Sequence, residues 1–277
     1  MSSFKMTGVT DPGRMRAENE DNIATFPALG LAVLADGMGG HQAGEVASRM
    51  AVDVISRHFQ EVFTRHPTGS GNGKSLEQRT IGKAIELANA AIYEMAHQRS
   101  ECAGMGSTIV VAVFYEDKVC IGHVGDSRLY RLRGGKLEQL TQDHSVIEEL
   151  VARGLLSREE ARQTIGKNLV TRALGIDPFV AADVAELPRE ADDLYLICSD
   201  GLNDVVPDPD IEGLLASGSQ DELWPLAQRL ELWPLAQRLV AVANERGGPD
   251  NISIILVRPG ERFARETSAV SPDVEAR

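Results

Sequence analysis

Aspartates recur beside glycines or at the ends of apolar runs: Asp21 in RAENEDN (16–22), Asp36 in LADGMGGH (34–41), Asp126 in GDSR (125–128), Asp200 and Asp204 in SDGLND (199–204), and Asp250 in GGPDN (247–251). Glycine lets the backbone turn tightly, so carboxylates and nearby carbonyls can converge on one point. Acids gathered in this way cannot all stay ionised without a cation, because like charges raise each other's pKa. A hard, all-oxygen donor set suits Mg²⁺ or Mn²⁺ better than zinc, which favours His and Cys. Two such ions about 4 Å apart bridge a water and lower its pKa, making a hydroxide nucleophile at neutral pH. One Asp-Gly pair alone is ordinary turn chemistry. Repetition in matched contexts is what points to a metal centre.

Other reactive residue types carry less. Cys102, Cys120 and Cys198 have spacings that make neither a zinc box nor a disulfide framework. No Cys or Ser sits in a nucleophile context, so no covalent intermediate on the protein is expected. His123 lies in an apolar run and reads as a core residue, whereas His144 in QDHS orders a turn. His58, His66 and His97 fall at helix ends or in loops.

The elements that must position these acids are short. Strands are expected at 31–36, 107–114, 118–124, 127–132, 193–199 and 252–257, with a hairpin turn at Gly134–Gly135 leading into KLEQLT. Apolar residues recur at helical spacing over 43–59 and again from about 75 to 98, separated by the loop GSGNGKS at 69–75. Hairpin-linked strands without a βαβ rhythm predict an antiparallel α+β arrangement with helices outside. Segment 143–178 reads as a helical insertion between two strands, and 258–277 as a disordered tail.

ELWPLAQRL occurs twice in succession, at 222–230 and 231–239, and supplies both tryptophans, Trp224 and Trp233. Nine residues turn a helix through about 900°, leaving the copies about 180° out of phase. Pro234 would also break the interior of one continuous helix, at a cost of about 3 kcal/mol. The second copy runs into VAVANERGG and is expected to hold the packed helix, with Pro234 in its first turn. The first copy is then a looped-out or separately helical insertion.

The 277 residues fall between one and two domains at roughly 150 residues each. The 43% apolar and 25% charged content is ordinary for a globular chain and excludes collagen-like, coiled-coil or wholly disordered classes. A net charge of −13 argues against nucleic acid and against anionic membranes. The apolar runs fall short of the roughly 18 residues of a spanning helix, and the first residues lack a signal pattern, so a cytoplasmic protein is expected.

The five ordered motifs RAENED, DGMGGHQAGE, GDSRLY, SDGLND and GGPDNIS resemble those of the metal-dependent serine/threonine protein phosphatases of the type 2C (PPM) family, in particular its bacterial branch. The resemblance runs from about residue 5 to 257. It implies a catalytic domain over 1–257 with an α-β-β-α sandwich fold: two antiparallel sheets face to face, helices outside, and a two-metal site at one end. It also implies site roles. Asp36 bridges two Mn²⁺ or Mg²⁺ ions and the Gly37 carbonyl joins one of them; Asp200 and Asp250 hold the other. Glu20 and Asp21 act mainly through metal-bound waters, and Asp126 with Asp200 and Asp204 resembles a third, weaker metal site. Arg16 matches the arginine that grips the substrate phosphate. His41 is expected as the general acid, although animal members carry a histidine directly after the DG pair, where Met38 stands here. Segment 143–178 corresponds to the flap that contacts protein substrates.

The function so implied is hydrolysis of phosphoserine and phosphothreonine on proteins, opposing a bacterial Ser/Thr kinase. Two competitors are a binding-only pseudophosphatase disabled by the duplication, and a phosphoesterase for small molecules or nucleotides. The chain is expected to be a monomer, with a dimer or domain swap as what an exposed first copy with Trp224 would produce.

Overall fold

The computed structural model describes residues 4–40, 42–65, 74–165, 169–220 and 232–260. Strands β1 (Lys5–Asp11), β2 (Asp21–Phe26) and β3 (Leu31–Met38) precede two long helices, α1 (Ala43–Arg65) and α2 (Leu76–Gln98). Strands β4 (Gly106–Ser107), β5 (Ile109–Tyr115), β6 (Lys118–Val124), β7 (Arg128–Arg133) and β8 (Lys136–Gln139) come next, then the short helices α3 (Val146–Ala152) and α4 (Arg158–Ile165). The chain continues through β9 (Asp183–Pro188), β10 (Leu194–Cys198), α5 (Asp200–Asn203), α6 (Asp208–Gln220), α7 (Leu232–Glu245) and β11 (Ile252–Arg258).

These strands make two sheets, β1-β11-β10-β7-β8 and β2-β3-β5-β6-β9, with β4 added beside β3. Every paired neighbour is antiparallel. The central strands are apolar on both faces because both faces are covered. In β3, Ala32 and Leu34 meet Leu129, Tyr195, Ile197, Ile255 and Val257 of the other sheet. Leu31, Val33 and Ala35 face the other way, against Ala47, Ala51 and Ile55 of α1 and Ile81, Ile85 and Ile92 of α2. Likewise Ile252, Ile254 and Leu256 of β11 pack on Leu235, Leu239 and Ala243 of α7. The result is the expected α-β-β-α sandwich.

Ser75 caps α2 by accepting from the Gln78 amide, while the Gln78 side chain accepts from the Ser75 amide. This reciprocal box explains why the helix starts where its periodicity does. Helix α7 takes up the second copy of the repeat, with Pro234 in its first turn. Its register is set by Val240, Ala243 and their neighbours, which lie beyond the repeat. If the first copy took its place, Glu231 would fall where Val240 is buried and Pro234 where Ala243 is buried. The first copy, the 69–73 part of the loop before α2, and 261–277 lie outside the described residues.

The structure adjusts several expectations. Strand 107–114 is broken at Thr108 into β4 and β5, and β11 extends to Arg258, paired with Lys5. Helix α1 continues past residue 59 to Arg65. Among the described residues, segment 143–178 is helical only in α3 and α4. Beyond them Ser145 bridges Val170 within the segment itself, and Leu174 bridges Ser107 of β4. Strands β1, β2 and β9 had no sequence signal strong enough to name them. All three are edge strands, and their mixed, half-exposed faces lack a clean alternation.

Candidate metal and phosphate site

The acids meet at one end of the sandwich because the strands that carry them end there. Asp21 opens β2 and stands directly opposite Asp36 in the β2–β3 register. Asp200 comes just after β10 at the start of α5, and Asp250 precedes β11 by two residues. Asp126 lies in the turn between β6 and β7. Hydroxyls stitch the two sheets together beneath them. The Ser199 hydroxyl donates to Asp21 Oδ2 at 2.8 Å and accepts from the Ser253 amide at 2.9 Å. The Thr108 hydroxyl accepts from the Asp36 amide at 3.2 Å and lies 2.7 Å from the Ser127 hydroxyl.

Packing requires the motif's first glycine. A Cβ on Gly37 would lie 2.1 Å from the Gly44 carbonyl oxygen and 2.7 Å from that of Glu20, closer than real side chains stand. The same close approach lets the Gly37 amide donate to the Glu20 carbonyl at 3.1 Å. Helix α1 begins at Ala43, and the Gly44 amide in its first turn donates to the Glu20 carboxylate. A helix N-terminus stabilises such an anion through its unpaired amides and dipole.

The electrostatics are those of an acid cluster held together by its scaffold. Burial pushes the Asp36 carboxyl well above its ordinary value, and repulsion from Asp21, Asp200, Asp126 and Asp250 adds to it. Asp21 is pushed up to about 6, chiefly by burial, with hydrogen bonds from Ser253 and Ser199 opposing. Asp126 is raised to about 7 by burial and then by Asp143, with Asp204 adding repulsion and Arg128 opposing. Burial also raises Glu20, against the pull of Arg16. Asp21 Oδ1 is buried yet accepts no hydrogen bond from the described residues. A buried carboxylate oxygen left in that state is costly unless a cation or water meets it.

The structure thus brings together Glu20, Asp21, Asp36, Gly37, Asp200, Asp250 and Asp126, with Asp204 exposed at the margin. Arg16 is exposed at the mouth, its Nη2 2.7 Å from Asp250 Oδ2. His41 lies outside the described residues. The three cysteines are buried and free, and burial pushes the Cys120 thiol up to about 12, which disfavours any thiolate. His123 is buried as expected, its ring stacked on that of His144 with centroids 4.6 Å apart.

Sequence reasoning missed the residues that hold the loops. Asn251 accepts from the Glu20 amide at 2.8 Å and donates to the carbonyls of Pro12 and Glu18, tying the N-terminal acids to the loop carrying Asp250. Its only signal was its place directly after Asp250 in PDN. Arg128 clamps Asp143 with Nε and Nη2, at 2.9 and 2.7 Å, and donates to the Tyr130 hydroxyl. Nothing local in GDSR pairs it with an aspartate 15 residues away.

Sandwich and acid cluster together define a metal-dependent hydrolase. Comparison with known proteins supplies its family. The family model described as protein phosphatase 2C matches residues 15–242. The serine/threonine phosphatase Stp of Listeria welshimeri is 38% identical over 251 residues, covering 90% of this chain and 93% of that protein. The Mycobacterium tuberculosis serine/threonine phosphatase PstP superposes with a TM-score of 0.78 at 31% identity, over 93% of this chain and 99% of that one. A second PstP structure, of its catalytic domain in complex with two manganese ions, gives a TM-score of 0.76 at 31% identity, with 93% and 99% coverage. The chain belongs to the protein phosphatase 2C family of serine/threonine phosphatases.

Proposed function

We propose that this phosphatase removes phosphate from phosphoserine and phosphothreonine on proteins at a centre of two Mn²⁺ or Mg²⁺ ions. Asp36, the Gly37 carbonyl, Asp200 and Asp250 would hold the two ions, with Asp36 shared between them, and Glu20 and Asp21 would act on them through water. The observation that carries the reading is the convergence of Asp21, Asp36, Asp126, Asp200 and Asp250, where burial first and then the four neighbouring carboxylates raise the Asp36 carboxyl well above its ordinary value, beside the unmatched Asp21 Oδ1. An all-oxygen donor set of this kind fits a hard divalent ion. A related PstP catalytic domain was solved with two manganese ions, which agrees with the choice. When bound, the ions supply an oxygen nucleophile at neutral pH and neutralise charge on the phosphate.

The chain's own residues do the rest. Arg16 presents further N–H donors beside the one on Asp250, and its planar fork suits two phosphate oxygens. His41 donates the proton to the leaving seryl or threonyl oxygen, a task for which imidazole is the side chain best suited near neutral pH. Asp126 and Asp204 hold a third, weaker ion. The catalytic domain is 1–257, with the substrate-facing flap in 143–178.

The substrates are phosphoproteins made by a cognate Ser/Thr kinase. Among the described residues no helix is long and apolar enough to cross a membrane, and we read the protein as a cytoplasmic monomer. Phosphate release from a phosphothreonine peptide tests the reading. It should require Mn²⁺, stop with EDTA, and fall at least about 10³-fold in Asp36→Asn, the scale of losing a group that acts only in the transition state. Turnover by Asp36→Asn at the wild-type rate would remove the bridging role. No turnover from folded wild-type protein would favour the pseudophosphatase.

A further inference from the structure

Among the described residues, His123, His144 and Asp183 form a group close enough to hold a metal ion. The hydrogen bonds argue otherwise. The Gly125 amide donates to His144 Nδ1 at 3.1 Å, so Nδ1 must carry the lone pair and Nε2 the proton. That Nε2–H faces Asp183 Oδ2 at 3.3 Å. His123 Nε2 is likewise engaged, 2.9 Å from the Gln142 carbonyl oxygen. The nitrogen an ion would need on His144 is already spent. Burial, and next the neighbouring His123, hold His144 below its ordinary pKa and so neutral.

What the ring grips is the turn before Asp126. Gly125 has a φ of 107°, and a Cβ there would stand 2.6 Å from Thr108, so this turn has one backbone arrangement and no slack on its inner side. The His144 backbone closes a second bond, its amide donating to the Gly125 carbonyl at 2.9 Å. One residue earlier, Asp143 takes the bidentate Arg128 at the far end of the same turn. Asp143 and His144 therefore pin residues 125 and 128, with Asp126 between those two positions in the chain.

The other side of His144 belongs to the flap segment. Its carbonyl accepts from the Thr171 amide at 2.8 Å, and the next pair down is Val146 amide to Leu169 carbonyl at 2.9 Å. Asp183, which receives Nε2–H, is also held by Arg172 at 3.1 Å. Both ends of the 146–169 excursion thus close on His144.

We propose that His144 is a positioning residue that joins the base of the flap segment to the Gly125–Asp126 turn and so fixes the Asp126 carboxylate for the third ion. The inference rests on the reading of Asp126 as a ligand of that ion.

Two substitutions separate the ring's two ends. In His144→Asn the amide oxygen falls near the place of Nδ1 and can still accept from Gly125. In His144→Gln the polar group reaches the place of Nε2 and leaves the Gly125 amide unmatched. Mn²⁺ titration monitored by electron paramagnetic resonance, with Asp126→Asn as reference, reads the weakest ion directly. His144→Gln should weaken it by about 10-fold or more, as loss of groups supporting metal ligands does, and His144→Asn by no more than about 3-fold. Faster hydrogen exchange at the Gly125 amide should accompany the first and not the second.

Wild-type ion affinity in His144→Gln, with the weakest ion lost in Asp126→Asn, overturns the positioning role and leaves the third site standing. An unchanged titration in Asp126→Asn overturns both. Should His144→Gln not fold, the ring ¹⁵N spectrum of the intact enzyme decides. An Nε2–H tautomer is required, and an Nδ1–H tautomer rules the proposal out.

Discussion

At the residue scale, the proposed chemistry rests on carboxylates that the fold forces together. Asp36 is the extreme case, because desolvation and four like charges act on it in the same direction. Arg16 is the counterpart: it is half in solvent and pairs with Asp250 at the rim, so it is placed to meet a ligand rather than to hold the core. An exposed pair of that kind adds little stability. Its value is geometric, and it should appear in kinetics. Arg16→Ala is expected to lower kcat/KM for phosphopeptides about 10²-fold, the worth of a charge-assisted fork, with melting unchanged within a degree or two. Arg16→Lys should recover little, since a single ammonium cannot replace the fork. Steady-state kinetics on both variants checks this, and a wild-type kcat/KM in Arg16→Ala would take the phosphate away from Arg16.

At the scale of elements, the repeated nonapeptide is the sharpest case. Leu232, Leu235, Ala236, Leu239 and Val240 of α7 are buried, and VAVANERGG leads the chain on to the loop of Asp250. The second copy thus belongs to the scaffold of the site. Removing nine residues, from either copy, yields one and the same sequence, so the shortened chain keeps every residue that α7 buries. It should melt within about 3 °C of the parent, because loop length changes stability only slowly, and retain its kcat/KM. Calorimetry and peptide turnover on that single variant settle the matter. A collapse of either would mean that the first copy contributes to the fold. Leu239→Ala, in contrast, should cost about 2–5 kcal/mol as a cavity in the core.

At the scale of the whole molecule, the acid cluster links stability to pH and to ions. Asp21 and Asp126 titrate near 6 and 7 in the folded protein, above the ordinary carboxylate range that the unfolded chain shows. The folded state therefore favours their neutral forms. Stability from this source is complete below about pH 4 and is lost as pH rises through those raised values. In EDTA the melting temperature should fall between pH 5 and pH 8, on the order of 2–3 kcal/mol or about 5–10 °C for a chain of this size. Mn²⁺ at about 100 times its dissociation constant should return a similar amount, since it binds only the folded arrangement. A melting temperature independent of both pH and Mn²⁺ would falsify the picture of a repelling cluster that a cation completes.

How much of this was legible in the chain differs by element. The central strands β3, β5, β6, β10 and β11 read clearly because they are buried on both faces and so are continuously apolar. The edge strands β1, β2 and β9 did not, since pairing partners rather than their own pattern make them strands. The acids were visible one at a time through their Asp-Gly and Asp-Asn settings, and their order along the chain named the family. Residue types and local turns are properties of neighbouring positions, and those the sequence by itself determined. Which acids meet was decided only by the tertiary structure. The antiparallel register sets Asp21 against Asp36, the Ser199 hydroxyl carries Asp21 across to the second sheet, and His144 reaches back 19 residues to Gly125. Convergence of that kind depends on how two sheets stack, a long-range packing choice that no local pattern of residues encodes.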